Sequence, residues 1–318
     1  MINGAELLIL ILIIAVILDT IAGEPPDIIH PVVITGKFIS RFKPYFSRLE
    51  NKILSGCIFL LSIIIIDTIP VIIILYILYY LQNKIFLIIF IIIYAYFLKS
   101  TFSINSMGKH IRNIIDSLEE SDLKSARNYT AMVVRRSVND MDVHGLASAS
   151  IETIAEGFVD GYLTPLFFYA FFGLAGAIVT RIINTMDSNV AYRDTQNYEL
   201  GRCTAIGDSI INFFGSRMVP VIFRISAFLL GYSNRKMIII NTTDSLNAGY
   251  SIGAMALVLN VVLEKDGEYI INSHGNQPEI KDIRKAMNIY YLSSMIFLIL
   301  FVVPVIAILS AIHLLLLF

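Results

Sequence analysis

Residues 7–18, LLILILIIAVIL, are twelve apolar side chains in a row. With their flanks they fill Ala5 to Ile21. An α-helix needs about 20 predominantly apolar residues to cross a bilayer core, so this run reads as a transmembrane helix. It has no basic segment before it and no small-residue cleavage site after it, and Asp19 and Glu24 follow. It therefore reads as a retained span, not a signal peptide.

The rest of the chain agrees. Of 318 residues, 56 % are hydrophobic and 15 % charged, and mean hydropathy is +0.73. A soluble domain carries about 25 % charged residues, so lipid is part of this protein's solvent. A formal net charge of −1 gives no electrostatic basis for a nucleic-acid partner. Cys57 and Cys203 lack CxxC or zinc-ligand spacing and read as ordinary apolar or reduced residues, with neither a disulfide framework nor a cysteine metal site supported. With no Trp, an interfacial aromatic belt must come from the sixteen Tyr.

Further spans are expected at 53–80, broken by Asp67 and Pro70 into one long helix or two halves, at 85–98, and at 291–318. Residues 162–180 are apolar but contain Pro165, Gly173 and Gly176, and read as membrane-embedded or re-entrant. The polar segments are 22–52, 99–161, 181–217 and 234–285. Lys37, Arg41, Lys43, Arg48 and Lys52 follow the first span, which puts 22–52 in the cytoplasm. Ser121 or Asp122 is the expected cap of a soluble helix, and Asp266-Gly267 marks a hairpin turn. The expected fold is a single mainly α domain: a polytopic helical membrane protein whose cytoplasmic helical segments form the site.

Four polar stretches carry candidate chemistry. In IETIAEGFVDG (151–161), Glu152, Glu156 and Asp160 recur at helical spacing. Like charges so placed repel, so the stretch is either a solvated face or a cluster neutralised by Mg²⁺ or a substrate ammonium. RIINTMDSNVAYRDTQNYELGR (181–202) sets Arg181, Asn184 and Ser188 on one helical face beside Asp187, with Arg193 beyond. It is either a membrane-proximal loop or an oriented site in which guanidinium forks hold phosphate or carboxylate. In GEPPDIIHPVVITGK (23–37) three prolines stiffen the path to His30, an acid–base group or a polar residue of a rigid turn. DSLNAGYSIGAMA (244–256) sets Asn247 before a helix rich in small residues, an anion site or an ordinary cap. No phosphate-binding loop or HExxH occurs, which removes Walker-type nucleotide sites and metalloproteases.

In this order the segments resemble the cobalamin-biosynthesis membrane family of adenosylcobinamide-phosphate synthases, over nearly the whole chain. LDTIAGEPPDIIHPVVITGKFIS (18–40) is similar to the family's GDPP…HPV…G start. IETIAEGFVDGYLTPLFF (151–168) resembles its ExxAENxxDGxxAPLF, GAIVTRIINTMDSNVAYR (176–193) its YRxxNTLDSMVGYR, and DSLNAGYSIGAMA its SPNAGxPxAAMA. The chain departs at Ser137 and Ser209, where the family has Asp, at Gly157 (Asn), Ile206 (Arg) and Leu246 (Pro).

The resemblance implies a ligase. ATP and Mg²⁺ are used to join a carboxylate of (adenosyl)cobyric acid to aminopropanol or its O-phosphate, giving (adenosyl)cobinamide (phosphate). The corrin is then substrate, not prosthetic group. Carried over by motif, the catalytic set is Glu152, Glu156, Asp187 and His30. Substrate contacts are Glu24, Arg181, Asn184, Arg193, Asp208, Asn212, Arg217 and Asn247, and metal ligands Glu156, Asp160 and Asp187. The setting is the cell membrane with the site on its cytoplasmic side, among lipid and other membrane-associated corrin-pathway enzymes. Two rival readings stand beside it: a membrane phosphotransferase on a lipid-linked substrate, and a non-catalytic transporter or scaffold.

Overall fold

The computed structural model describes residues 4–81, 83–190, 198–232, 243 and 245–317. In chain order the elements are α1 (Gly4–Ala22), α2 (Pro31–Phe46), α3 (Lys52–Tyr80), α4 (Lys84–Lys99), α5 (Asn105–Glu119), α6 (Leu123–Ala131), α7 (Val143–Phe158) and a π turn (Val159–Leu163). Then follow α8 (Thr164–Val190), α9 (Tyr198–Leu229), α10 (Ala248–Leu259), the hairpin β1 (Leu263–Lys265) and β2 (Tyr269–Ile271), α11 (Ile280–Phe297), a second π turn (Leu298–Val302) and α12 (Val303–Ala311). The fold is mainly α.

Among the described residues, five helical stretches are long and apolar enough to cross a membrane: Gly4–Ala22, Lys52–Tyr80, Val143–Val190, Tyr198–Leu229 and Ile280–Ala311. Residues 53–80 form one helix, not two halves, because Pro70 is accommodated inside α3. The helix at 85–98 is only 16 residues long. Tyr198–Leu229 takes its place among the long apolar helices, and its first half had read as part of the polar segment 181–217. The apolar residues from Val219 onward carry that helix through. The exposed face of α3 shows why lipid is required: Leu54, Ile58, Leu61, Ile65, Ile69 and Ile73 recur every three or four residues, each about half exposed. A continuous apolar stripe of this kind is stable against hydrocarbon, not water.

The chain divides into two compact units. The first comprises residues 1–103, 164–211 and 301–318, the second 104–163 and 212–300. In the first, α1 packs on α4 and α12, and α2 packs on α3 and α8. Tyr94 and Tyr169 are wholly buried and satisfy their hydroxyls internally: Tyr169 donates to the Leu8 carbonyl (2.8 Å) and Tyr94 to that of Leu317 (2.8 Å). The glycine expected to break 162–180 does so. Gly173 has φ 61° and ψ −153° inside α8, a region open essentially to glycine alone.

Cys57 on α3 and Cys203 on α9 are joined in a disulfide, with Cα atoms 5.3 Å apart, which corrects the reading of both as reduced. Spacing could not reveal it, since 146 residues separate them. Packing does: a Cβ on Gly56 would lie 2.0 Å from the Leu200 carbonyl oxygen, so the glycine lets two helix backbones touch beside the bond.

In the second unit α7 is surrounded by α11, α10, α6, α5 and β1. Asp142 caps α7 by accepting from Gly145 N–H (2.8 Å), and Asp122 caps α6 from Ser125 N–H (3.0 Å), as expected. The hairpin turns at Asp266-Gly267, with Leu263 opposite Ile271 and Gly267 at φ 73°.

Candidate functional site

In the first unit, the segment between α1 and α2 makes a chain of ionic contacts. Lys99, 3 % exposed, closes the end of α4 and reaches Glu24 Oε2 at 2.5 Å and Asp19 Oδ1 at 3.5 Å. A buried ammonium needs such company, because an unpaired one would cost several kcal/mol. His30 Nε2 lies 2.9 Å from the same Glu24 oxygen, while its Nδ1 accepts the Val32 N–H at 3.2 Å. With Nδ1 accepting, the ring proton sits on Nε2, facing Glu24. His30 is thus the N-cap of α2, followed by Pro31 at the first helical position. Burial raises the Glu24 carboxyl, but hydrogen bonds from His30, Lys99 and Ser103 outweigh it and hold the group at about 2. The motif residues Glu24 and His30 are therefore partners, and Lys99 and Asp19, which no motif flagged, complete their network.

On α8, Arg181, Asn184, Asp187 and Ser188 are all half-buried on continuous helix, not loop. Asn184 Nδ2 donates to Asp208 Oδ1 on α9 at 3.4 Å, which brings together residues that the sequence put in different motifs. Arg181 lines a pocket with Asp67 of α3 and Thr35 of α2, and Thr35 donates to Asp67 Oδ2. In the sequence Asp67 is only a break in an apolar run. Arg193 lies outside the described residues.

In the second unit, Glu152 is 6 % exposed and fully engaged. Its Oε1 accepts from Arg136 (2.9 Å) and Ser148 (2.8 Å), and its Oε2 from the Tyr269 hydroxyl (2.7 Å). Arg136 also donates to the Glu264 carbonyl, and Ser148 accepts from the Glu264 N–H, both at 3.0 Å. Burial and the negative charge of Glu152 push the Tyr269 phenol up, so it stays a donor. This carboxylate clamps the hairpin to α7. Glu156, one turn on, is exposed, and Asp160 sits half-buried in the π turn after α7. The three acids expected on one face thus occupy three environments.

Arg217 and Asn247 converge. The Arg217 guanidinium lies 3.5 Å from the Phe213 ring centre and 4.5 Å from that of Tyr250. Its Nη1 donates to Asn247 Oδ1 (3.1 Å), which also accepts from Ser216 (3.2 Å). Arg217 Nη1 also reaches the Phe213 carbonyl (2.7 Å) and Ser216 Oγ (3.1 Å), so two rings and several acceptors fix the guanidinium in one orientation. Asn247 opens α10 without a side-chain cap bond of its own; its oxygen serves Arg217 instead. Asn212 on α9 is 2 % exposed.

Among the described residues no three His, Cys, Asp or Glu side chains gather as a metal cage; the expected trio Glu156, Asp160 and Asp187 makes none by itself. Mg²⁺ does not require one, because it binds through one or two carboxylates, waters and substrate phosphates.

The departures from the resembled family have local accounts in two places. A Cβ on Gly157 would lie 2.3 Å from Met107 Cε, so the methionine fills the space of the missing Asn side chain. Ile206 is 52 % exposed on α9, where the loss of an arginine leaves no buried hole.

Three comparisons bear on this arrangement. The family model described as CobD/Cbib protein matches residues 12–313. A "Probable cobalamin biosynthesis protein CobD" of Thermoplasma volcanium is 40 % identical over 95 % of this chain and 99 % of its own length. One of the same name from Thermoplasma acidophilum is 43 % identical over 93 % and 97 %, and one from Pyrococcus furiosus 34 % identical over 88 % and 92 %. No solved structure matches the chain.

Proposed function

The chain belongs to the CobD/Cbib protein family, and from that membership in a family of cobalamin biosynthesis we propose that it is the membrane enzyme joining a corrin carboxylate to an amino-alcohol through an amide. The single observation that carries the reading is the match over residues 12–313, to relatives whose name states cobalamin biosynthesis. The substrates are (adenosyl)cobyric acid and aminopropanol or its O-phosphate, and the setting is the cell membrane with the site on its cytoplasmic side.

A carboxylate is a poor electrophile. ATP with Mg²⁺ would supply the phosphoryl group that converts it to an acyl phosphate, with release of ADP. One ammonium proton passes to a base, the amine nitrogen then forms the C–N bond as the C–O bond to phosphate breaks, and the second nitrogen proton leaves with the departing phosphate. Glu156 and Asp160 would hold the metal. Arg217, immobilised by Phe213, Tyr250 and Asn247, stabilises phosphoryl charge by position alone, the main device in this chemistry. The base is the carboxylate not assigned to the metal, Asp187. Glu152 is saturated by three donors, and His30 has both nitrogens engaged, so both act as positioning residues.

The test is turnover by detergent-purified protein given cobyric acid, ATP, Mg²⁺ and aminopropanol or its phosphate, with the amide product read by mass spectrometry. Asp187→Ala is expected to abolish product while the protein keeps its melting temperature. Absence of product from the folded parent protein refutes the reading, and full turnover by the variant removes Asp187 from the site.

A further inference from the structure

We infer that the pocket between α2, α3, α4 and α8 of the first unit is the seat of the small substrate, a compact phosphorylated primary amine, with Asp67 receiving its ammonium and Arg181 its phosphate. For the identity of its ligand this rests on the amide-forming reading; for the ligand's chemistry it rests on the pocket alone.

The size of the pocket matches the smallest of the three substrates. The pocket is about 210 Å³, below the roughly 300–1,000 Å³ of sites for drug-sized ligands. A few-carbon amine phosphate fits a space of that size whole, whereas a corrin or a nucleotide would enter it only in part.

The lining selects for both charges. A carboxylate and a guanidinium face one small space whose remaining wall is mostly apolar. Thr35 donates to Asp67 Oδ2 and so orients the carboxylate, leaving Oδ1 for a ligand. The other hydroxyls of the lining have already spent their protons on backbone carbonyls, Tyr96 on that of Ile29 at 2.5 Å. Ser100 donates to the Tyr96 carbonyl (2.9 Å), Thr101 to that of Leu98 (2.7 Å) and Thr185 to that of Arg181 (2.7 Å). Each can therefore offer a ligand only oxygen lone pairs, and an ammonium, which has three protons to give and accepts none, is the group that matches. Arg181 supplies the planar donor fork that phosphate prefers. Neither charge alone explains the lining, and a zwitterion does.

The experiment is equilibrium binding of 1-amino-2-propanol O-phosphate to the full-length protein in detergent, without ATP and again with cobyric acid present. Saturable binding is expected. Removing either end of the ligand, as in aminopropanol or isopropyl phosphate, should weaken it at least tenfold. Asp67→Asn and Arg181→Gln should each weaken it at least tenfold, and in turnover Asp67→Asn should raise the KM for the amine while the KM for cobyric acid stays unchanged. Should Asp67→Asn fail to fold, Thr185→Leu, which fills the pocket from α8, is measured with the same expectation.

Absence of binding by the parent protein under both conditions overturns the inference, as does equal binding by Asp67→Asn. Phosphatidylethanolamine bears the same two charges. If it occupies the pocket in lipid nanodiscs and the free compound does not compete, the substrate assignment falls. Binding of the free compound without any amide product would instead sink the ligase reading and leave the pocket standing.

Discussion

Glu24 concentrates the residue-scale argument. Its carboxyl is held at about 2 against an ordinary 4.5, so the folded state favours the ionised form. A depressed carboxyl contributes stability that is complete above the unfolded value and disappears as pH falls through the folded one. The difference in melting temperature between the parent and Glu24→Gln should therefore be largest near neutral pH. It should shrink across the window from 4.5 down to about 2. At neutral pH the variant is expected to lose about 1–3 kcal/mol, less than a wholly buried pair because Glu24 is partly exposed. A thermal shift series over pH checks both. Glu24 and His30 were legible from the sequence as members of one proline-rich motif. Lys99 was not, because a lone lysine at the end of an apolar run looks like an interfacial anchor until the fold brings Asp19 and Glu24 around it. Glu152 was legible as one of three acids at helical spacing, but its partners were not. Its spacing to Glu156 suggested a shared cation, and the donors that saturate it come from Arg136, Ser148 and Tyr269, of which only Ser148 is near in sequence.

At the scale of elements, the contact of α3 with α9 depends on Gly56. Gly56→Ala would set a methyl group 2.0 Å from the Leu200 carbonyl, a backbone atom that cannot rotate aside. Overpacking of this kind costs about 1–3 kcal/mol, and a lowered melting temperature with intact membrane insertion is expected. The Cys57–Cys203 bond spans the same contact. Reduction should destabilise by about 2–4 kcal/mol, and thiol titration of the unreduced, denatured protein should find no free thiol. Helix identity was plain in the sequence wherever apolar runs exceeded about 15 residues, and so were the Asp122 cap and the Asp266-Gly267 turn. The stretch 181–217 was harder. Charged and amide side chains there suggested loop, yet most of it is helix, because half-buried polar residues on α8 and α9 pair with each other, as Asn184 does with Asp208. Pairing across elements is invisible to a one-dimensional pattern.

At the scale of the whole molecule, five helical stretches long and apolar enough to cross a membrane predict that the protein stays in the pellet after an alkaline carbonate wash and leaves it only with detergent. The fold class was readable from composition and from residues 7–18. The division into two units was not, because each is assembled from segments far apart in the chain. The first unit includes both the start and the end of the sequence. Within it α12 packs on α1 and α8, and Phe301 stacks on Phe167 with ring centres 5.3 Å apart. A ribosome making this protein therefore releases α1 to α4 long before their last neighbour exists, while every residue of the second unit has already emerged. The α12 flank of α1 is thus supplied only after the whole second unit has been made, and a message truncated before residue 301 would leave that flank of α1 bare.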